Sequence, residues 1–291
     1  MSKSSLPRVL IVTGLSGSGK SVVIKVLEDA GYYCIDNLPV EFAAEVIAFQ
    51  QNSGRGKIAL SIDVRSGVGI NSLPAVIDEL IKKGIDARVL FLEANTETIV
   101  KRFSEARRPH PLANDQRTLQ ECITWERNIL AGISDVAHRV DTSDLGPNML
   151  RAWVRDFIAL DQSTLTMFFQ SFGFKNGLPR DADFVFDVRP LPNPFYDPTL
   201  RPLTGKDPAV IKFLDSVPSV QAMLNDIEQL LVRWLPAFVR DNRRSLTIAI
   251  GCTGGQHRSV YFAEHLAERF GKTQQVQVRH RGLYREGGEA L

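Results

Sequence analysis

From Arg8 to Ser143 the chain alternates short β-branched and aliphatic runs with longer stretches whose apolar positions recur at helical spacing. The runs are RVLIVT from Arg8, YYCID ending at Asp36, IALSID ending at Asp63, and ARVLFLEA from Ala87. Between the last two, SLPAVIDELIKKG sets Leu73, Val76, Ile77, Leu80 and Ile81 on one face of a predicted helix. Ser72 is its expected cap and Gly84 its stop. A closing helix is expected after DTSDLGPN, capped by Ser143 or Asp144, with Pro147 in its first turn. Strands alternating with helices of this length predict a parallel sheet covered on both faces.

The second half is patterned differently. TMFFQSFGFKNG reads as a hairpin, DFVFDVR as a strand, and PLPNPFYDPTLRP as a loop whose prolines keep it out of a sheet. A long helix is expected next, with Val220, Met223, Leu224, Ile227, Leu230, Leu231 and Trp234 on one face. Strand SLTIAIG, a glycine-rich loop and helix SVYFAEHLAERF, stopped by Gly271, complete the pattern. The expected class is α/β throughout, with a boundary between Asp156 and Thr166, giving domains 1–158 and 159–291.

Composition narrows the classes without choosing among them. The 291 residues are 44% hydrophobic and 23% charged, ordinary for a soluble chain of about two domains. The 35 basic and 33 acidic residues leave a net charge of +2, so a polyanion would need a local patch. Cys34, Cys122 and Cys252 are too few and scattered for a disulfide framework or metal cluster. Free thiols in a reducing compartment are expected. The apolar run Val9 to Val12 is too short for a signal or membrane segment, so the reading is cytoplasmic, with no membrane partner.

Two loops carry the chemistry. Gly14, Leu15, Ser16, Gly17, Ser18, Gly19, Lys20 and Ser21 fit G-x-x-x-x-G-K-[ST] between a predicted strand and a predicted helix. Glycines let successive backbone N–H groups approach phosphate oxygens at the helix N-terminus. Lys20 is expected on the β and γ phosphates and Ser21 on Mg²⁺. Asp63 is the expected water-mediated magnesium ligand and Asp36 its competitor. Val64, Arg65 and Ser66, just beyond Asp63, stand where they could touch nucleotide. Arg102, Arg107 and Arg108 resemble the helix and lid arginines of small P-loop kinases, or else form a solvated basic face.

The other loop runs Cys252, Thr253, Gly254, Gly255, Gln256, His257, Arg258, Ser259. Its Cys-x5-Arg-Ser spacing is that of a cysteine phosphatase loop. A strand feeding a glycine-rich turn and a helix N-terminus is equally an anion cradle, to which Arg258 adds a bidentate phosphate contact. Nucleophilic work needs a stabilised thiolate and a placed acid. Gly251 stands where such phosphatases usually carry histidine, there is no Trp-Pro-Asp loop, and the best substitute acid, Asp187, has Arg189 two residues on. The cradle is therefore the preferred reading.

GLSGSGKS, DNLP from Asp36, SIDVRS from Ser61, RFSEARRPHPL from Arg102, FKNGLPRDADFVFDVRPLPNP from Phe174 and GCTGGQHRSVYFAEHL from Gly251 together resemble the RapZ family of bacterial nucleotide-binding proteins, the RNase adapters. The resemblance spans nearly the whole chain. It implies an N-terminal P-loop domain of kinase-like topology that binds ATP or GTP, with contacts at Gly14 to Ser21 for ATP and Asp63 to Ser66 for GTP. It further implies a C-terminal domain that senses a sugar phosphate such as glucosamine-6-phosphate through Cys252 to Ser259. In enterobacterial members that domain also presents a small RNA to a ribonuclease, and those members act as homo-oligomers. Here the expected RNA contacts are Lys272, Arg279, Arg281 and Arg285. Against Glu286 and Glu289 they leave 4 − 2 = +2 over residues 272–291, a diluted tail.

These readings combine as a regulatory protein that binds ATP or GTP with Mg²⁺, Lys20 and Asp63 being the groups that would support slow hydrolysis. A small-molecule kinase and a phosphatase using the Cys252 to Arg258 loop remain the alternatives.

Overall fold

The computed structural model describes residues 8–66, 68–114, 116–134, 137–159, 165–240, 243 and 245–283. They form two compact units, one ending at Ala159 and the other beginning beyond it.

The first unit is built on β1 (Arg8–Gly14), whose residues from Val9 onward are all buried, as a strand covered on both faces requires. β2 (Tyr33–Ile35), β3 (Lys57–Ser61), β4 (Asp86–Glu93) and β5 (His138–Asp141) complete a sheet of order β2-β3-β1-β4-β5. Every pairing in it is parallel. The covering helices are α1 (Lys20–Asp29), α2 (Ala43–Asn52), α3 (Leu73–Lys82), α4 (Thr96–Ala106), α5 (Leu119–Ile129), α6 (Ala131–Ser134) and α7 (Pro147–Ala159). Since β3 and β4 flank β1, the loop leaving β1 opens beside the carboxyl ends of two neighbours, where open α/β sheets bind ligands.

Two expected caps work differently. Ser72 occupies the N-cap of α3, yet its hydroxyl donates to the Gly69 carbonyl. Ser143 accepts from the Asn95 N–H and donates to Asp141. It thereby ties the start of α4 to the end of β5. Strand β5 carries His138, Arg139 and Asp141 in four residues, so it has no apolar run to reveal it.

The second unit contains β6 (Thr166–Gly173), β7 (Phe184–Asp187), α8 (Pro208–Asp215), α9 (Pro218–Arg240), β8 (Ser245–Cys252), α10 (Arg258–Phe270) and β9 (Gln275–His280). Its sheet runs β7-β8-β6-β9, again parallel. TMFFQSFG is therefore one interior strand rather than a hairpin: β6 is buried along its whole length and paired on both sides. In α9, Val220, Leu224, Ile227 and Leu231 are buried. Leu230 and Trp234 instead lie exposed, so the expected apolar face is wider than the face that packs. Residues 275–280, expected to belong to a basic tail, are strand β9. No helix among the described residues is long and apolar enough to cross a membrane.

Candidate functional site

At the end of β1 the chain turns through Gly14 at φ 125°, Gly17 at φ 80° and Gly19 at φ 106° before α1 begins at Lys20. A β carbon on Gly14 would lie 2.0 Å from the Leu92 carbonyl oxygen, so the turn admits only glycine there. The N–H groups of Gly17, Gly19, Lys20 and Ser21 meet no acceptor among the described residues. They form a set of free donors at a helix N-terminus, the arrangement that receives an anion. Lys20 curls back over the loop, its Nζ donating to the Gly14 carbonyl at 2.8 Å and the Leu15 carbonyl at 3.1 Å. Burial pulls its ammonium below the ordinary lysine range, and the charges of Asp63 and Glu126 oppose that pull. Ser21 is exposed at the start of α1.

Asp63 follows β3, the immediate neighbour of β1. Its carboxylate is 3.5 Å from Lys20 Nζ and accepts two side-chain donors of Arg65, Nε and Nη2. Burial pushes the Asp63 carboxyl up, but the Arg65 hydrogen bonds and the Lys20 charge outweigh it and hold the group ionised. Val64, Arg65 and Ser66 form a single 3₁₀ turn. Asp36 follows β2, one strand further out, and among the described residues it touches this cluster through a 3.8 Å contact with Arg65. The strand order thus favours Asp63 over Asp36 as the acid beside the loop.

Three residues that sequence reasoning missed hold the loop from behind. The Thr142 hydroxyl lies 2.9 Å from the Ser18 carbonyl and 3.0 Å from that of Glu93. Glu126, fully buried in α5, accepts from the Ser16 N–H at 2.9 Å and the Ser16 hydroxyl at 2.7 Å. His110 contacts the same carboxylate at 3.1 Å. A sequence signal did exist: Glu126 shares a helix face with buried Cys122 and Ile123, where a lone carboxylate needs a dedicated set of donors. Arg102 belongs to this support, donating to the carbonyls of Gly17, Thr142 and Leu145. It is neither lid nor solvated face. Arg107 caps α4 in the left-handed region at φ 50° and, like Arg108, is exposed.

The second loop leaves β8 at Cys252, which is buried. Its Sγ accepts the Gly255 N–H at 3.2 Å and lies 3.1 Å from the Ser259 hydroxyl. Gly255 is pressed between backbones: a β carbon there would be 2.6 Å from Gly173 N, and one on Gly282 would be 2.5 Å from the Gly255 carbonyl oxygen. The N–H groups of Gly254, Gln256, His257, Arg258 and Ser259 have no acceptor among the described residues. Thr253 and Gln256 are exposed.

Arg258 is buried and donates through Nη1 to the Arg189 and Leu191 carbonyls, both at 2.8 Å. His257 Nε2 lies 3.2 Å from the Leu200 carbonyl. These contacts tether the proline-rich segment to the loop. Burial lowers the Arg258 pKa, and the proximity of Cys252, Tyr196 and Asp187 opposes the shift. Asp187 is held ionised by the Arg189 side chain.

The expected RNA contacts separate. Lys272 is exposed in a turn, Arg279 sits in β9 with its guanidinium 3.6 Å from Asp181, and Arg281 is partly buried. Arg285 lies outside the described residues.

A five-stranded parallel sheet, a lysine-bearing glycine loop on its central strand and an acid on the adjacent strand define the first unit as a P-loop α/β fold of kinase-like topology. The second unit repeats the strand, loop and helix order around a different sheet. Residues 8–162 match the RapZ-like N-terminal domain and residues 165–284 the RapZ C-terminal domain; the chain belongs to the RapZ family. It is 55% identical to a nucleotide-binding protein of Nitrosomonas europaea over 278 residues, covering 95% of this chain and 96% of that one. A nucleotide-binding protein of Chromobacterium violaceum is 52% identical over 279 residues, covering 96% and 99%. Among solved structures, shikimate kinase from Bacteroides thetaiotaomicron overlaps 53% of this chain and 99% of its own at 13% identity and a TM-score of 0.37. A likeness that loose carries no functional argument.

Proposed function

We propose that the first loop binds a nucleoside phosphate, ATP or GTP, and that the second binds a phosphorylated amino sugar such as glucosamine-6-phosphate, giving a regulatory rather than metabolic output. The observation that carries the nucleotide reading is the set of free N–H groups from Gly17 to Ser21, with the Lys20 ammonium folded over the loop. The names of the relatives, nucleotide-binding proteins at 52–55% identity, agree with it. Ser21 and Asp63 suit Mg²⁺ as a donor pair, an open hydroxyl at the helix start and an ionised carboxylate near it. The ion would add positive charge between the β and γ phosphates. Lys20 would neutralise the phosphate oxygens, and with the ion held by Ser21 and Asp63 this is the catalytic help to slow hydrolysis that these residues offer.

For the second loop, five free N–H groups beside Arg258 support a phosphate ligand. The phosphatase alternative asks Asp187 to protonate a leaving group, and its carboxylate is held ionised by Arg189. That geometry favours the cradle. An RNA role rests on the family resemblance and on Lys272, because Arg279 already faces Asp181. Oligomer formation and a ribonuclease partner rest on the resemblance alone.

Calorimetric titration tests both sites. Mg²⁺ with ATP or GTP should bind the wild type, and Lys20→Ala at least about tenfold more weakly. Glucosamine-6-phosphate should bind the wild type and not Arg258→Ala. Heat from neither ligand would overturn the proposal, and steady phosphate transfer to a small acceptor would replace it with the kinase reading.

A further inference from the structure

Three strands of the first sheet, β2, β3 and β1, lie side by side and run parallel, so their amino ends open together on the side away from the glycine loop. Their first residues are Tyr33, Lys57 and Arg8. Arg8 and Lys57 are register partners, and Tyr33 pairs with Ile58, one residue further along β3. The seven residues of β1 put this side roughly 20 Å from the glycine loop, at about 3.3 Å per residue. With Arg55 and Tyr32, the three first residues line an open cavity of about 690 Å³.

The lining is cationic and aromatic. Arg8, Arg55 and Lys57 form no ion pair among the described residues; Arg55 Nη1 donates to the Gln50 side-chain oxygen at 3.0 Å and Lys57 Nζ to the Ala30 carbonyl at 3.3 Å. Asp86, beside Arg8 at the start of β4, faces Arg88 at 3.7 Å. The Arg55 guanidinium lies 3.8 Å over the Tyr33 ring, and Lys57 Nζ lies 5.6 Å over that of Tyr32. Tyr33 is nevertheless 39% exposed, which leaves ring surface for a second stacking partner. Gly31 and Gly56 complete the rim, and a β carbon on either would meet nothing within 4 Å.

Cations without acidic partners beside an accessible aromatic ring suit a ligand that carries phosphates and planar bases together. An acidic peptide would use the cations and leave the ring idle. The cations stand on neighbouring strands about 4.8 Å apart and on the turn before them, a spread wider than one phosphate needs. That spread favours a strand over a single nucleotide.

We propose that this cavity is a binding site for single-stranded nucleic acid, with a base stacked on Tyr33 and the phosphates on Arg8, Arg55 and Lys57. It is separate from both glycine-rich loops and does not depend on Lys272.

Gly56 offers a test that leaves the lining intact. Its φ lies outside the left-handed region and a side chain there has room, so Gly56→Glu and Gly56→Lys set opposite charges at the same point of the rim. A labelled oligouridylate of about a dozen nucleotides would be titrated into the full chain by fluorescence anisotropy, with a thermal melt of each variant. Gly56→Glu should weaken binding about tenfold, the scale of one like-charge contact in a partly screened site, and Gly56→Lys should not weaken it. Equal effects of the two substitutions, or no binding by the wild type, would overturn the inference. Tyr33→Leu keeps an apolar residue at the start of β2 and should cost at least about fivefold through the lost stack. Lys57→Gln should lower the magnitude of the log-log salt slope by about 0.7. An unchanged slope would overturn the inference even if Tyr33→Leu failed to fold. Uridine monophosphate binding as tightly as the oligonucleotide would replace the strand with a small ligand, and polyglutamate of equal charge binding as tightly would replace it with an acidic peptide; either result overturns the proposal.

Discussion

Lys20 Nζ and the Asp63 carboxylate stand 3.5 Å apart, joining the loop after β1 to the end of β3. Arg65 holds the same carboxylate at 2.8 Å, so Asp63 keeps a cationic partner when Lys20 is removed. Lys20→Ala should therefore unfold near the wild-type temperature while nucleotide affinity drops at least about tenfold, the worth of one charge-assisted contact. Thermal melts and calorimetry on the same preparation separate the two effects. A large fall in melting temperature would mean that Lys20 is mainly structural.

Gly14 and Gly54 share a positive φ but differ in their surroundings. At Gly14 a methyl group would collide with the Leu92 backbone, whereas at Gly54 nothing lies within 4 Å. Gly54→Ala should cost about 1–2 kcal/mol from left-handed strain alone. Gly14→Ala should cost at least a few kcal/mol more, since backbone atoms cannot move aside as a flexible side chain can. Denaturant titration measures both, and similar losses would contradict the collision.

His138 stacks on Trp153 and Phe157 with ring centroids 5.6 Å and 5.2 Å away. Burial, reinforced by the charges of Arg88 and Arg139, pulls its pKa from 6.5 to about 3. The unfolded chain then binds a proton that the folded chain refuses between those values. Stability contributed by neutral His138 is present above about pH 6.5 and is lost as pH falls toward 3, by about 1.4 kcal/mol for each pH unit at most. His138→Phe keeps a ring in the stack and should flatten the melting temperature over that interval. An unchanged pH slope would show that other groups set it.

Arg258 anchors two carbonyls of the proline-rich segment, and lysine cannot reproduce a planar fork that serves a carbonyl pair and a phosphate together. Arg258→Lys should keep the fold, lose about 1–3 kcal/mol of stability and weaken sugar-phosphate binding. Chemical denaturation with parallel glucosamine-6-phosphate titrations would show whether tether and binding fail together.

The cations expected to meet RNA divide into structural and available groups. Arg279→Ala removes a cationic partner of buried Asp181, leaving it the Gln170 amide, and should lower stability, whereas Lys272→Ala should leave stability within about half a kcal/mol of wild type. If RNA binds through Lys272, its removal should lower the magnitude of the log-log salt slope by about 0.7–0.9. Filter binding over a salt series reads this directly, and an unchanged slope would remove Lys272 from the interface.

Local rules were enough for much of the chain. The apolar runs at Val9, Ile58 and Ala87 became β1, β3 and β4, and GLSGSGKS between strand and helix marked the first loop, because its glycines and lysine are adjacent in sequence. Cys252 to Ser259 was legible for the same reason. TMFFQSFG misled because its aromatic and polar residues imitate a two-sided hairpin, while in the fold both faces are covered and both edges paired.

What only the tertiary structure decided is which distant residues meet at those loops. Strand order puts Asp63 beside Lys20 and leaves Asp36 one strand away. Chain reversal between α4 and α5 brings His110 and Glu126 together, and Glu126 reaches Ser16 across 110 residues of sequence. Parallel pairing turns residues 275–280 from a tail into an edge strand and sets Arg279 against Asp181. Sequence determined the pieces, since backbone turns and helical faces depend on near neighbours. The charge environment of the nucleotide loop comes from residues far apart along the chain, and only packing brings them within hydrogen-bonding distance.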